Sequence, residues 1–348
     1  MKINAFLLAA FLASNLLEAG PSVILRRTGR SQVSALDFSP DGRTIAVGTS
    51  GASGKPDRLP EAVVEVWNLA SGTQTSSFRR SAWTPNGDTA LNTSALEFSP
   101  DGPRILETDG LALSVFDVKT GASKFMVPSW NMSPAGSGGW SPDSRRIALP
   151  RNDMQRGIWD VTLYEVDNAS ALSHLLVKAN AVCFSPDGRL IAAVGYGCHI
   201  SDAQTGRELF ADSSEPAIFY TAAFSPDGRH LVVGPGQGGT LDLYDVVESV
   251  GSISIKAAGH SALTGEEISR VQFTPDGRHA LTVSNAGIRW WDATGWTNSV
   301  QWLGITGRLS RDGHRIAVAN NTGVSDSNVE IWTVDAAPWV PASAVPKR

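Results

Sequence analysis

The chain has 348 residues, 42% of them hydrophobic, so it can bury a large core and is not an intrinsically disordered polymer. Its 34 aspartates and glutamates outnumber its 29 lysines and arginines, for a formal charge of −5. This balance argues against nucleic acid as a partner and against general affinity for anionic lipid surfaces. Two cysteines, Cys183 and Cys198, are too few for a disulfide scaffold or a four-cysteine zinc site, and we expect both to be buried.

Residues 1–19 have the pattern of a secretory signal peptide. Lys2 precedes an apolar stretch at residues 5–13, and Leu17-Glu18-Ala19 precedes Gly20. The alternative is a short amphipathic helix that caps the fold, because the apolar run is too short for a membrane span. We therefore expect a secreted or periplasmic mature protein without membrane insertion, with a cytoplasmic protein as the alternative.

One turn motif recurs seven times along the chain. Its members are Phe38-Ser-Pro-Asp-Gly42, Phe98-Ser-Pro-Asp-Gly102, Trp140-Ser-Pro-Asp-Ser144, Phe184-Ser-Pro-Asp-Gly188, Phe224-Ser-Pro-Asp-Gly228, Phe273-Thr-Pro-Asp-Gly277 and Leu309-Ser-Arg-Asp-Gly313. Proline presets φ, aspartate accepts hydrogen bonds from the backbone that follows, and glycine tolerates the left-handed region, so each motif predicts a hairpin. Successive motif aspartates are 36 to 60 residues apart, about the length of a four-stranded propeller blade.

The segments around each turn read as strands. An alternating segment such as 33–38 precedes the turn, and an apolar one such as 44–47 follows it. A third strand comes next in each unit, and a short fourth strand follows in most. The predicted third strands are residues 64–68, 113–117, 162–165, 199–202, 241–245, 288–292 and 329–333.

Most third strands end in an aromatic residue followed by an acidic one, and in this the chain resembles the WD-repeat propeller family. The aromatic position holds Trp67, Phe116, Tyr164, Ser201, Tyr244, Trp291 and Trp332. Trp159-Asp160 looks like the family dipeptide but falls too early after its turn. Gly259-His260 is the single Gly-His pair before a first strand, and Asn285 stands where the family's polar tetrad has Asp, so we expect apolar packing to hold most blades. The Trp-Ser-Pro-Asp turn at Trp140 also resembles bacterial periplasmic propellers.

The resemblance implies an all-β fold: one seven-bladed propeller of four-stranded antiparallel blades over residues 20–335. Residues 336–348 contain three prolines and are expected to form a tail without a regular ladder strand. The seventh unit would then lack its outer strand. Residues 22–27 lie where that strand is needed, so we expect the N-terminal segment to close the ring.

The sequence offers no residues that we assign to catalysis, cofactor binding or metal binding. His230, His279 and His314 follow turn aspartates in different units, where a solvated turn residue is the simpler interpretation than a metal ligand. The turn aspartates are followed by arginines, which favours a mixed-charge rim. Gly236-Gln-Gly-Gly239 has no helix after it and so is not a phosphate loop.

Two groups of residues are candidates for partner binding. The first lies in the longest loops, at residues 49–62 and 320–328, which should meet when the ring closes; a third long loop is at residues 150–156. The polar candidates there are Lys55, Asp57, Arg58 and Asp326. The second group contains aromatics near the starts of first strands: Trp130, Phe219, Tyr220 and Trp302. The alternatives are tolerated loop insertions and aromatics that seal the space between blades.

The sequence favours a monomeric, non-enzymatic scaffold that binds another protein or peptide. One alternative is an enzyme or small-molecule binder that uses the central channel, which predicts convergent polar groups there. Another is a structural module of an envelope assembly, which predicts a broad exposed apolar patch.

Overall fold

The computed structural model describes residues 21–27, 31–50, 62–80, 93, 95–108, 112–128, 138–153, 158–212, 218–236, 239–249, 252–261, 266–302, 306–319, 328–334 and 340–341. Within these ranges the fold is all-β, with seven antiparallel sheets, each of which is one blade of a propeller.

The innermost strand of each blade ends at the aromatic or leucine that opens a turn motif. These strands are β2 (Val33–Phe38), β6 (Ala95–Phe98), β10 (Gly139–Trp140), β14 (Ala179–Phe184), β18 (Phe219–Phe224), β22 (Ile268–Phe273) and β26 (Thr306–Leu309). The second strands are β3 (Thr44–Thr49), β7 (Arg104–Thr108), β11 (Arg146–Asp153), β15 (Leu190–Gly195), β19 (His230–Pro235), β23 (His279–Ser284) and β27 (Arg315–Ala319).

The third strands contain the predicted aromatic positions. They are β4 (Ala62–Asn68), β8 (Ala112–Asp117), β12 (Ile158–Glu165), β16 (Gly197–Asp202), β20 (Leu241–Ser249), β24 (Gly287–Asp292) and β28 (Val329–Thr333). The outer strands of blades one to six are β5 (Thr73–Arg80), β9 (Ser123–Pro128), β13 (Ala171–Leu175), β17 (Glu208–Asp212), β21 (Ser252–Ser261) and β25 (Thr297–Trp302).

The N-terminal strand β1 (Val23–Leu25) supplies the outer strand of blade seven, as the sequence predicts. It pairs antiparallel with β28, with Val23 opposite Ile331 and Leu25 opposite Val329. The side chain of Leu25 is fully buried in the core between blades seven and one. The N-terminal strand and the seventh unit of the chain therefore share one sheet.

The turn motif has the predicted chemistry in every unit that can be compared. In blade one, Asp41 accepts hydrogen bonds from the Ser39 hydroxyl at 2.7 Å and from the Arg43 N–H at 3.0 Å, while Gly42 has φ of 65°. Blade three has Ser144 at the glycine position, with φ of 62°. The Ser144 hydroxyl accepts a hydrogen bond from the Asp101 N–H at 3.0 Å, which links this turn to the turn of blade two.

The aromatics of the third strands are buried between blades, as their spacing predicts. Trp291 is 1% exposed, and its Nε1 donates to the Thr282 hydroxyl at 2.9 Å. Tyr164, and not Trp159, occupies the position opposite Ile147 that corresponds to Trp67 opposite Ile45. This register confirms that Trp159-Asp160 is not the family dipeptide.

Three details of the structure differ from the sequence-based expectations. The prediction of a loop at residues 150–156 is wrong for its first part, because β11 continues to Asp153 and pairs there with β12. The prediction that the tail supplies no ladder strand is wrong over two residues, because β29 (Val340–Pro341) pairs with β25 at the outer edge of blade six. Because proline has no backbone N–H, it fits at the edge of a sheet, where the outer side of a strand has no ladder hydrogen bonds to make.

The third difference concerns the polar groups within the blades. Apolar clusters fill the spaces between blades as expected, but buried ion pairs contribute as well. Arg27 Nε lies 2.8 Å from Glu65 Oε2, and Arg151 Nη2 lies 2.7 Å from Asp160 Oδ2. Arg289 pairs with Glu266 in blade six. Each of these pairs joins residues from different strands or segments, so the local sequence pattern does not predict it.

Candidate functional site

The structure describes the side chains of two of the predicted partner-binding residues, Phe219 and Tyr220. Lys55, Asp57, Arg58, Trp130 and Asp326 lie outside the described residues. Trp302 ends β25 opposite Ile288, and nothing is described of its side chain. Phe219 is 5% exposed in the core between blades four and five, the blade-sealing role that the sequence left open. Tyr220, the next residue, lines the central channel.

The channel contains a cavity of about 780 Å³ that opens where the innermost strands begin. Gln32, Ser50, Thr108, Glu267 and Asn285 line this end, which we call the wide mouth.

Tyr220 lies at the wide mouth because a glycine leaves room for its ring. A Cβ on Gly236 would lie 2.8 Å from atoms of that ring, so only glycine lets the ring rest on the backbone. This is the physical role of the first glycine of residues 236–239, which the sequence excluded as a phosphate loop.

Deeper in the channel, one position per innermost strand decides the chemistry of the wall: the residue just before the aromatic or leucine that opens the turn. In blade order these residues are Asp37, Glu97, Gly139, Cys183, Ala223, Gln272 and Arg308. Blades six, seven, one and two supply charged or amide groups, while blades three to five supply small ones. The channel wall is therefore polar on the side of blades six, seven, one and two, and it has small side chains on the side of blades three to five.

Most of the polar groups on this wall are hydrogen-bonded across the seams between blades. Arg308 Nε donates to Asp37 Oδ1 at 2.6 Å across the seam between blades seven and one. The other carboxylate oxygen of Asp37 accepts from the Phe98 N–H at 2.7 Å, across the seam between blades one and two. Gln272 exchanges two hydrogen bonds with the backbone of Leu309, at 2.9 and 3.2 Å.

Other seams have similar bonds to or from backbone groups. Trp140 Nε1 donates to the Glu97 carbonyl at 3.1 Å, and Asn180 Nδ2 donates to the Phe219 carbonyl at 3.0 Å. Because a satisfied buried hydrogen bond is costly to break, the innermost strands are held in fixed relative positions.

Two charged side chains inside the channel are not used in this way, apart from Glu267, whose carboxylate is exposed at the wide mouth. Among the described residues, no group hydrogen-bonds the Glu97 carboxylate or the Arg270 guanidinium, although both line the cavity. Burial raises the pKa of Glu97 to about 7; Arg308 opposes this rise and Asp37 adds to it. Burial, together with Arg308, lowers the pKa of Arg270 to about 10. Near neutral pH Arg270 is charged, and Glu97 is divided between its two protonation states.

The reactive residue types of the chain have ordinary structural surroundings. Cys198 is buried, and Cys183, which lines the cavity, is half-buried. Burial raises the pKa of the Cys183 thiol to about 12 and also raises that of Cys198, so both are protonated and poorly nucleophilic at neutral pH.

Four histidines pair with carboxylates on neighbouring strands. His174 Nδ1 lies 3.4 Å from Asp160 Oδ2. His199 Nδ1 lies 2.7 Å from Glu208, His230 Nδ1 lies 2.8 Å from Asp245, and His260 Nδ1 lies 2.7 Å from Asp242. No group of three or more His, Cys, Asp or Glu residues placed to hold a metal ion occurs in the described part of the chain.

The exposed apolar side chains are distributed over several blades. Within the described ranges, the large ones are Ile24, Met126, Leu172, Leu176, Tyr196 and Val247. They belong to blades seven, two, three, four and five. No helix in those ranges has the length and hydrophobicity needed to cross a bilayer.

Comparison with known proteins agrees with this architecture. Residues 23–55 match the family model described as "WD domain, G-beta repeat". The resemblance to WD-repeat propellers is confirmed. The fold is similar to that of the β-propeller domain of Myceliophteria thermophila Cps50 (Swd1), with a TM-score of 0.68 and 13% sequence identity. The match covers 90% of this chain and 99% of that one. No curated protein matches the chain.

Proposed function

We propose that this WD-repeat propeller is an exported, non-enzymatic scaffold that binds a protein or peptide partner at the wide mouth of its channel. The observation that carries the proposal is a concave, half-polar opening on a ring whose innermost strands are fastened to one another. A rigid surface loses little conformational entropy when a partner binds, so more of the contact energy is available for affinity.

Tyr220 is the residue on which we expect the partner to depend most. Its ring is half-buried at the mouth and is held against the backbone of Gly236. Tyrosines in such positions are frequent anchors of interfaces, with about 2 kcal/mol or more lost on truncation.

The test is affinity capture of partners from the compartment in which the protein resides, with three forms of the protein. Tyr220→Ala should recover any specific partner at least about tenfold less than wild type. Tyr196→Ala is the matched control, because Tyr196 is 52% exposed and does not line the cavity. Equal recovery by Tyr220→Ala and Tyr196→Ala, with unchanged melting temperatures, would contradict a site at the wide mouth.

Export rests on the N-terminal pattern of Lys2, the apolar run at residues 5–13 and the small residues at 19 and 20. Cleavage after Ala19 would leave the closing strand β1 at the start of the mature chain. The measurement is the intact mass of the full-length gene product purified from each cell fraction. A mature species beginning at Gly20 outside the cytoplasm supports export, whereas a full-length species confined to the cytoplasm overturns it.

A further inference from the structure

Among the described residues, two oppositely charged side chains inside the channel, Arg270 and Glu97, have no hydrogen-bond partner, and they come from the blades on either side of a satisfied ion pair. In ring order, Arg270 comes from blade six, Arg308 from blade seven, Asp37 from blade one and Glu97 from blade two. Arg308 and Asp37 neutralise each other at 2.6 Å. Arg270 and Glu97 thus belong to the blades on either side of that pair, Arg270 two residues nearer the start of its strand than Gln272, and both side chains are half-buried.

The opposite wall has the space that a ligand requires. Blades three, four and five place Gly139, Cys183 and Ala223 at the level of Glu97, and all three residues line the cavity. Among the described residues, these blades therefore contribute only small side chains at that level, and the ring of Tyr220 lies nearer the wide mouth. The volume of about 780 Å³ is within the range of small-molecule sites.

Hydroxyl groups line the path from the wide mouth to the two charges. Ser34, Ser269 and Thr306 all border the cavity near its opening. They offer donors and acceptors without net charge, so they suit a small polar solute better than an apolar one.

We propose that the channel binds a small zwitterion, a free amino acid or a close analogue, with its carboxylate against Arg270 and its ammonium against Glu97. A guanidinium binds a carboxylate through charge-assisted hydrogen bonds, and a carboxylate does the same for an ammonium. A solute with both groups would satisfy both side chains at once. This site lies inside the channel and is distinct from the protein-binding site proposed at the wide mouth. The proposal does not depend on protein binding there.

Such binding is coupled to a proton. Asp37, Arg270, Arg308 and Arg311 are the charged groups that act on Glu97, and the Cys183 thiol is a further titratable group that interacts with it. The carboxyl is divided between its two forms near pH 7. A bound ammonium favours the ionised form. The zwitterion should therefore release a proton on binding below pH 7, and its affinity should rise as the pH increases toward 7 and level off above it.

The experiment screens the full-length protein by thermal shift against the twenty protein amino acids, followed by calorimetric titration of those that bind. Propionate and propylamine, each with one of the two charges, are the single-group probes. We expect at least one amino acid to bind at least about tenfold more tightly than either probe. Titration at pH 6.5 in two buffers of different ionisation enthalpy should show proton release.

Arg270→Gln and Glu97→Gln should each weaken that binding at least about tenfold. Neither change breaks a described hydrogen bond, so both variants should melt within about 2 °C of wild type without ligand. The matched controls are Arg207→Gln and Glu208→Gln, at exposed positions of blade four, which should bind as wild type does.

The proposal is overturned if none of the amino acids binds the folded protein, or if propionate binds as tightly as the best of them. It is also overturned if Arg270→Gln binds like Arg207→Gln. If the natural occupant is instead an acidic or basic side chain of a partner protein, none of the amino acids should bind.

Discussion

Asp37 joins three blades through one carboxylate. It is 2% exposed, accepts from Arg308 of blade seven and from the Phe98 N–H of blade two, and itself belongs to blade one. Buried charge is tolerated only where it is paired and hydrogen-bonded, and both conditions are met here.

Asp37→Asn should therefore lower the free energy of unfolding by about 3 kcal/mol, because it leaves the Arg308 guanidinium without a counter-charge in the channel. Urea unfolding followed by tryptophan fluorescence measures this loss. Asp245→Asn is the matched control, since Asp245 pairs with His230 at an exposed position and should lose less than about 1 kcal/mol. Equal losses in the two variants would refute the central role of Asp37.

The turn aspartates make stability sensitive to acid. The Arg43 N–H and the Ser39 hydroxyl lower the pKa of Asp41, and the Thr274 hydroxyl and the Arg278 N–H do the same for Asp276. A group whose folded pKa lies below its unfolded value stabilises the fold above the unfolded value, about 3.9. That contribution is lost as the pH falls through the folded pKa.

We expect the melting temperature to rise slightly as the pH falls from 6 to 5, because Glu97, with a folded pKa of about 7, takes up its proton more readily in the folded state, and to fall steeply below about pH 4. Asp276→Asn should melt lower than wild type at pH 6 and should show a shallower fall in acid, because one of the titrating groups is gone. Thermal melts at half-unit intervals of pH check both statements. Parallel curves for the two proteins would be evidence against the turn aspartates as the source.

At the scale of the element, the turn of blade three differs from the others because a non-glycine residue occupies the left-handed position. Ser144 accepts the φ of 62° and in return its hydroxyl binds the Asp101 N–H of the next turn. Its carbonyl also accepts from Arg104 Nη2 at 2.9 Å. The strained backbone at Ser144 is thus accompanied by hydrogen bonds that join the turns of blades two and three.

Substitutions at Ser144 separate these two effects. Ser144→Ala keeps the strain and removes the hydroxyl, so it should cost about 1 kcal/mol of unfolding free energy. Ser144→Gly removes the hydroxyl and the strain together, so it should be within about 0.5 kcal/mol of wild type. Chemical denaturation gives both values, and an alanine variant as stable as the glycine variant would exclude the strain argument.

The elements that the sequence predicts well are those encoded by neighbouring residues. The turn Phe38–Gly42 and the buried Trp67 follow from local chemistry and a regular spacing, so one sequence is enough to place them. The bond between Arg308 and Asp37 joins residues 271 positions apart and exists only because the ring closes. Both residues stand directly before the residue that opens a turn motif, a position that can be read from the sequence. Which two of these positions form a bond depends on which blades become neighbours.

At the scale of the whole molecule, closure depends on one short strand. Leu25 is fully buried and Ile24, its neighbour, is 39% exposed, so β1 presents one face to the core and one to solvent. The single edge that β1 covers belongs to the third strand of blade seven.

Leu25→Ala should lower the free energy of unfolding by about 3 kcal/mol, and Ile24→Ala by less than about 1 kcal/mol. Deletion of residues 20–28 should reduce the melting temperature drastically, because it also opens blade seven. Differential scanning calorimetry of the three variants tests this order. An unchanged melting temperature in the deletion variant would refute closure by the N-terminal strand.

The pairing of β1 with β28 also sets an order of events during synthesis. Blades one to six each take their four main strands from consecutive segments, so each can form as soon as its own segment is available. Blade seven needs Val23–Leu25 and Val329–Thr333, which are separated in the sequence by the segments of all six other blades. The first strand must remain unpaired until those segments have been made, so ring formation is the final and slowest step of folding.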